Sequence, residues 1–181
     1  MEFNHHPGDA MPATPRLIVI GHGMVGQRLL EELARQRAAY QITVFCEEPC
    51  FAYDRIRLSE CFDGDPDLAL ANEDFFRDHG ITVLRGQAAT GVDRVKRCVY
   101  TADGQAYSYD RLVLAMGAIP YIPPTEGYGQ PHCLQYRTLR DVDTIKQSAQ
   151  GSRRGVVIGY LRHWRCGQLA GPQLRPDRAR L

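Results

Sequence analysis

No stretch of this chain approaches the roughly 18 consecutive apolar residues that a membrane-spanning helix needs, so no membrane role is expected. Charge of one sign is missing too. Lys and Arg number 22 against 21 Asp and Glu, and a net charge of +1 makes no electrostatic case for nucleic acid or an acidic lipid surface. The cysteines (Cys46, Cys50, Cys61, Cys98, Cys133, Cys166) include no C-x-x-C pair, and no histidine pair stands at zinc spacing. They read as reduced thiols of a cytoplasmic protein, too widely spaced for an iron–sulfur cluster held by this chain alone. Residues 1–15 lack an apolar core, so they are not a secretory signal. They read as a disordered leader, with His5-His6 as a metal site the alternative.

Glycine, by contrast, is placed with pattern. The apolar run Leu17-Ile18-Val19-Ile20 ends in Gly21-His22-Gly23-Met24-Val25-Gly26, a G-x-G-x-x-G spacing. A helix is expected from Met24 to about Ala38, with Leu29, Leu30, Leu33 and Ala34 on one face. This is a strand, a tight turn and a helix start. The first glycine allows the turn, the second lets backbone approach a pyrophosphate, and the third lets helix and strand pack closely. The helix N-terminus offers free N–H groups to the phosphates. Ile42-Thr43-Val44-Phe45 reads as the second strand and leads to Glu47 and Glu48. Glu47 lies 21 residues after Gly26, where a dinucleotide fold wants an acid for the ribose hydroxyls.

The next stretch, Pro49 to Glu60, has two readings. It is a surface loop with a helical turn near Leu58, or a loop reaching over a bound cofactor with Arg55 available to a phosphate. A short helix follows, capped by Asn72 and ended by Gly80, then a third strand over Ile81-Thr82-Val83-Leu84. His79 reads as a last-turn residue complementing the helix dipole, not a base. From Ala88 to Tyr109 the period changes to two, predicting three short antiparallel strands with a turn at Asp103-Gly104. Leu112-Val113-Leu114-Ala115 returns to an apolar strand, and Met116-Gly117 follows as a small-residue turn. Pro120, Pro123 and Pro124 read as a stiff linker. Thr138 is placed to cap a helix from Leu139 to Ala149.

Arg154 to Gly159 repeats the logic of Arg16 to Gly21 and predicts a second strand entering a glycine turn. The pattern then fails. Tyr160 to Leu181 is rich in arginine, with Trp164, Pro172 and Pro176 and no clear period. It reads as an unstructured tail, a nucleic-acid-binding tail being the alternative. The expected fold class is α/β. It comprises a Rossmann-like dinucleotide-binding domain with a parallel sheet and a small antiparallel meander, plus the start of a second, incomplete nucleotide-binding domain. The expected boundaries are 16–120 for the first domain, 121–159 for the linker and the second, and 160–181 for the tail.

The chain resembles the pyridine nucleotide–disulfide oxidoreductase superfamily, and within it the amino-terminal flavin module of the assimilatory NAD(P)H nitrite reductase large subunit. The likeness is carried by Val19 to Gly26, Tyr40 to Phe45, Glu47-Glu48-Pro49, Ala52 to Arg55, Leu58-Ser59-Glu60, Tyr109 to Ala115, Pro120 to Pro124 and Tyr136 to Leu139. Rubredoxin and ferredoxin reductases share most of these motifs and are the alternative, as is a remnant without cofactor. Met24-Val25 and Ser59-Glu60 favour the nitrite reductase type.

The resemblance implies roles residue by residue. Gly21, His22, Gly23, Met24, Val25 and Gly26 would form the loop on the FAD pyrophosphate. Glu47 would take the adenosine ribose, with Glu48 beside it. Arg55 would approach the flavin or its phosphates, and Ala89 the adenine through its backbone. Ala115, Met116 and Gly117 match an Ala-Thr-Gly strand end near FAD, with Met116 replacing a hydroxyl. The intact family moves hydride from NAD(P)H to FAD and passes electrons to a metal centre. It implies sirohaem and an iron–sulfur cluster in a further module, and a small nitrite reductase subunit as a partner. No side chain here stands out as a catalytic acid, base or metal ligand. The break after Gly159 predicts a shifted reading frame and a truncated product with its second nucleotide site lost. Sequencing the coding DNA tests that.

Overall fold

The computed structural model describes residues 14–157 apart from 123 and 125. They fall into two compact units, 14–52 with 70–117, and 53–69 with 118–157. The leader, the tail and the expected turn at Gly159 lie outside the described residues.

The first unit is built on a four-stranded parallel sheet in the order β3-β2-β1-β7. Its strands are β1 (Arg16–Ile20), β2 (Gln41–Cys46), β3 (Thr82–Arg85) and β7 (Arg111–Leu114). β1 lies between two neighbours, with Ile20 opposite Phe45 on one side and Leu114 on the other. Its side chains alternate between two apolar clusters. Leu17 and Val19 join Leu30, Ile42, Val44, Phe76 and Ile81, while Ile18 and Ile20 join Phe45, Val99 and Tyr109. A strand covered on both faces must be apolar at every position, which is why it reads as a run and not an alternation.

Helix α1 (Met24–Arg35) covers the first face with Leu30, fully buried. It ends a turn short of the expected Ala38. Arg37 takes a left-handed φ of 50°, and the N–H of Ala38 donates to Leu33 O at 3.0 Å. That closure usually falls to glycine, so nothing in the composition marks the stop. Helix α2 (Glu73–Asp78) begins where Asn72 Oδ1 accepts from the N–H of Phe75 at 3.1 Å. His79 stands at the end of this helix, its Nδ1 2.8 Å from Phe75 O. The second face is covered by an antiparallel meander of β4 (Ala89–Asp93), β5 (Cys98–Thr101) and β6 (Ala106–Ser108). Its register shifts between Ala89 and Gly91. The Asp103 carboxylate closes the β5–β6 turn, accepting from the Thr101 hydroxyl and the N–H of Gln105.

The second unit pairs a 3-10 helix, Arg55–Phe62, with α3 (Leu139–Ala149). Asp54 caps the first, its carboxylate accepting from the N–H of Ile56, and the helix buries Leu58 and Cys61. Thr138 and Asp141 cap the second reciprocally, Asp141 Oδ2 accepting from the N–H of Thr138 at 2.8 Å. The strand expected over Arg154 to Gly159 is not formed in its described part. Residues 154–157 pair with no strand among the described residues, and Val156 is 81% exposed. A strand needs a neighbour for its backbone hydrogen bonds, and the described residues of this unit supply none there.

Candidate functional site

The carboxyl ends of the parallel strands converge on the turn between β1 and α1. Gly21 is required there twice over. Its φ is +103°, and a Cβ on it would meet the Ala115 carbonyl carbon at 2.6 Å and Met116 Cα at 2.8 Å. Its N–H donates to Phe45 O at 2.9 Å, fastening the turn to the end of β2. Gly26 is required by packing, since a Cβ would lie 2.5 Å from Gly21 O.

Gly23 differs from both. A Cβ there meets nothing within 4 Å. It occupies the N-cap of α1 in an extended conformation, where serine, threonine or aspartate usually stands, and it gives no side-chain cap. No acid stands in the first turn. A bare helix N-terminus beside an unfilled space is the cradle an anionic group requires.

The other residues of the expected set lie at the strand ends of the first unit, Arg55 excepted. Glu47 follows β2 and is exposed, and Glu48 is half-buried. The N–H of Gly86 donates to Glu48 O at 3.1 Å and that of Gln87 to Cys46 O at 2.9 Å, so the β3 exit wraps the end of β2. Ala115 donates its N–H to Ile20 O at 2.7 Å, which holds the Ala115-Met116-Gly117 turn against Gly21. The Met116 side chain is 65% exposed. Ala89 opens β4 beside the register shift and packs against the Ile18 cluster.

The side chains of two residues of the expected set have partners within the protein. The His22 side chain is buried in the core of the unit. Its Nε2 is 3.0 Å from Gln27 Oε1, and the ring meets Phe76 and Phe51 edge-on at centroid distances of 5.3 and 6.2 Å. Burial lowers its pKa from the ordinary histidine value, partly offset by the Gln27 hydrogen bond. Neutral His22 then donates from Nε2 to Gln27, and its Nδ1 is buried without a partner. Arg55 belongs to the second unit, where its Nη1 donates to Arg137 O at 3.1 Å and its guanidinium lies 4.9 Å from the Tyr53 ring centre. One polar group escaped notice in the sequence. Gln87 Oε1 is buried with no hydrogen-bond partner. No motif contains it, and only the folded strand end reveals it.

A parallel sheet whose first strand enters a glycine turn and helix, with acids after the second strand, defines a Rossmann-like nucleotide-binding protein. The sequence profile of the pyridine nucleotide-disulphide oxidoreductase family matches residues 15–160, and the chain belongs to that family. It is 42% identical over 148 residues to the nitrite reductase (NADH) large subunit of Escherichia coli K12, covering 80% of this chain and 18% of that protein. The nitrite reductase [NAD(P)H] large subunit of Klebsiella oxytoca is 44% identical over 149 residues, with 80% and 16% covered. The chain therefore spans less than a fifth of the length of these relatives. Among solved structures, a ferredoxin reductase from Rhodopseudomonas palustris matches with a TM-score of 0.72 and 27% identity, over 80% of this chain and 37% of that one. Among the described residues, no helix is long and apolar enough to cross a membrane.

Proposed function

We propose that this chain carries the FAD-binding part of an NAD(P)H-dependent oxidoreductase of the nitrite reductase large-subunit type. One observation carries the reading. Gly21 and Gly26 are glycines for reasons internal to the protein, whereas Gly23 faces open space and has no such reason. A pyrophosphate approaching the backbone supplies one. The unpaired acceptor on Gln87, at the same sheet edge, fits a ligand that brings donors.

On this reading the loop from Gly21 through His22, Gly23, Met24 and Val25 to Gly26 holds the pyrophosphate by backbone N–H groups. Glu47 accepts the ribose hydroxyls, with Glu48 beside it. The backbone at Ala89 meets the adenine, and Ala115, Met116 and Gly117 flank the dinucleotide. Bound FAD supplies acceptance of hydride from a reduced nicotinamide and release of electrons onward, and the protein positions it. Residues 16–120 then form the flavin domain, and 121–159 the linker and the start of an NAD(P)H domain. The reading extends to sirohaem and an iron–sulfur cluster outside these residues, a small nitrite reductase subunit as partner, and a cytoplasmic location. A rubredoxin- or ferredoxin-reductase assignment is not favoured over it, with 27% identity to the ferredoxin reductase against 42% to the E. coli protein.

The test is a purification. The full chain, expressed and gel-filtered, is expected to carry a flavin absorption band in the protein peak or to acquire one from added FAD. A folded chain that stays colourless with excess FAD contradicts the proposal.

A further inference from the structure

We propose that Gln87 reads the base of the bound dinucleotide, its side-chain carbonyl accepting a hydrogen bond from the exocyclic amine of adenine. The inference rests on the dinucleotide reading above and assigns a residue that no glycine or acid motif includes.

The geometry of the β2 end carries it. β2 has β1 on one side and β3 on the other. The N–H of Gly21, on the β1 side, donates to Phe45 O. The N–H of Gln87, on the β3 side, donates to the next carbonyl, that of Cys46. Successive carbonyls of a strand face opposite neighbours. The phosphate loop and Gln87 are therefore fastened to opposite flanks of one strand end, and Glu47 follows Cys46 between them. A nucleotide laid across that end runs phosphate, ribose, base. With the phosphate at the glycines and the ribose at Glu47, the base falls on the flank of Gln87.

The chemistry selects the contact. Gln87 Oε1 is buried without a partner, an arrangement a folded protein rarely leaves standing. No hydrogen bond of that oxygen is broken when the carboxamide turns toward a ligand. An acceptor calls for a donor. The phosphates and the purine ring nitrogens N1, N3 and N7 have none, and the ribose hydroxyls, which do, are taken by Glu47, so the adenine amine is the donor left for that flank.

Calorimetric titration of the full chain with two mononucleotide probes tests this. The probes are ADP and purine riboside 5′-diphosphate, which carries hydrogen in place of the amine. ADP is expected to bind about fivefold tighter, the worth of one net hydrogen bond. Gln87→Leu is expected to bind both alike, and Gln87→Glu, which keeps an acceptor, to retain the preference. Circular dichroism confirms that each variant is folded. A preference for ADP that survives in Gln87→Leu overturns the assignment. Equal binding of both probes by the unaltered chain overturns the base contact alone and leaves the dinucleotide site standing. Failure to bind either probe overturns the dinucleotide reading, and the base contact with it.

Discussion

Gly21 and Gly23 stand two positions apart and answer to different forces. A side chain at Gly21 collides with Ala115 and Met116 backbone and is strained by the φ of +103° that the turn holds. Gly21→Ala is therefore expected to lower stability by at least about 2 kcal/mol, read by chemical denaturation. Gly23 has room and an ordinary φ of −99°, so Gly23→Ala is expected to cost no more than about 1 kcal/mol, the preference of an N-cap for glycine over alanine. His22, between them, answers to pH. Its folded-state pKa lies below the ordinary 6.5 because burial disfavours the imidazolium. As pH falls below 6.5, the unfolded chain takes up a proton that the folded chain refuses, so the stability present above that value is progressively lost. His22→Asn is expected to flatten the slope of melting temperature against pH between about 5 and 7, a window set by the histidine value. An unchanged slope contradicts the assignment. Glu31 approaches this site only through Gln27, whose Nε2 donates to it at 3.2 Å, so no carboxylate pairs with the ring directly.

Elements were legible where one local force dominates. The all-apolar β1, the Asn72 and Thr138 caps and the Asp103-Gly104 turn are short-range signals, and each sits where the pattern puts it. Elements decided by non-local partners were not. The 3-10 helix Arg55–Phe62 reads only as a loop with a helical turn near Leu58, because its full length is supported by sequence-distant residues, among them Tyr136, whose ring is tilted against that of Phe62 at a centroid distance of 5.7 Å. The described part, 154–157, of the strand expected over Arg154 to Gly159 has a strand's composition and no strand beside it among the described residues. Leu30 measures what α1 contributes. It is fully buried against Leu17, Val19 and Val44, and Leu30→Ala is expected to cost about 2–5 kcal/mol by denaturation. Thr138→Ala removes half of a reciprocal cap and is expected to cost α3 about 1 kcal/mol. Faster amide exchange confined to residues 139–149 checks it.

At the scale of the whole molecule, the α/β class follows from the alternation of apolar runs and amphipathic helices. The grouping of residues does not follow. Residues 53–69 cluster with 118–157 although 70–117 separate them in the chain, a long-range closure that no local pattern encodes. The glycine loop, the acids and the 115–117 turn were all nameable in advance, because each is a spacing or a composition. Gln87 was not, because its significance is an unpaired atom, which exists only after folding. Several large apolar side chains are open to solvent, among them Ile119, Tyr121, Leu114 and Val156. Exposed apolar surface of this kind drives association, and sedimentation velocity is expected to show the chain self-associating as concentration rises. A single monomeric species throughout contradicts that.

The measurement that bears most directly on the central claim is the affinity of FAD for the full chain and for its Gly23→Ala variant, matched in melting temperature. A methyl group in the open space at the α1 N-terminus is expected to weaken FAD at least tenfold, about 1.4 kcal/mol, with the fold untouched. Equal affinity in the two proteins, or no affinity in either, contradicts the placement of a dinucleotide on this loop.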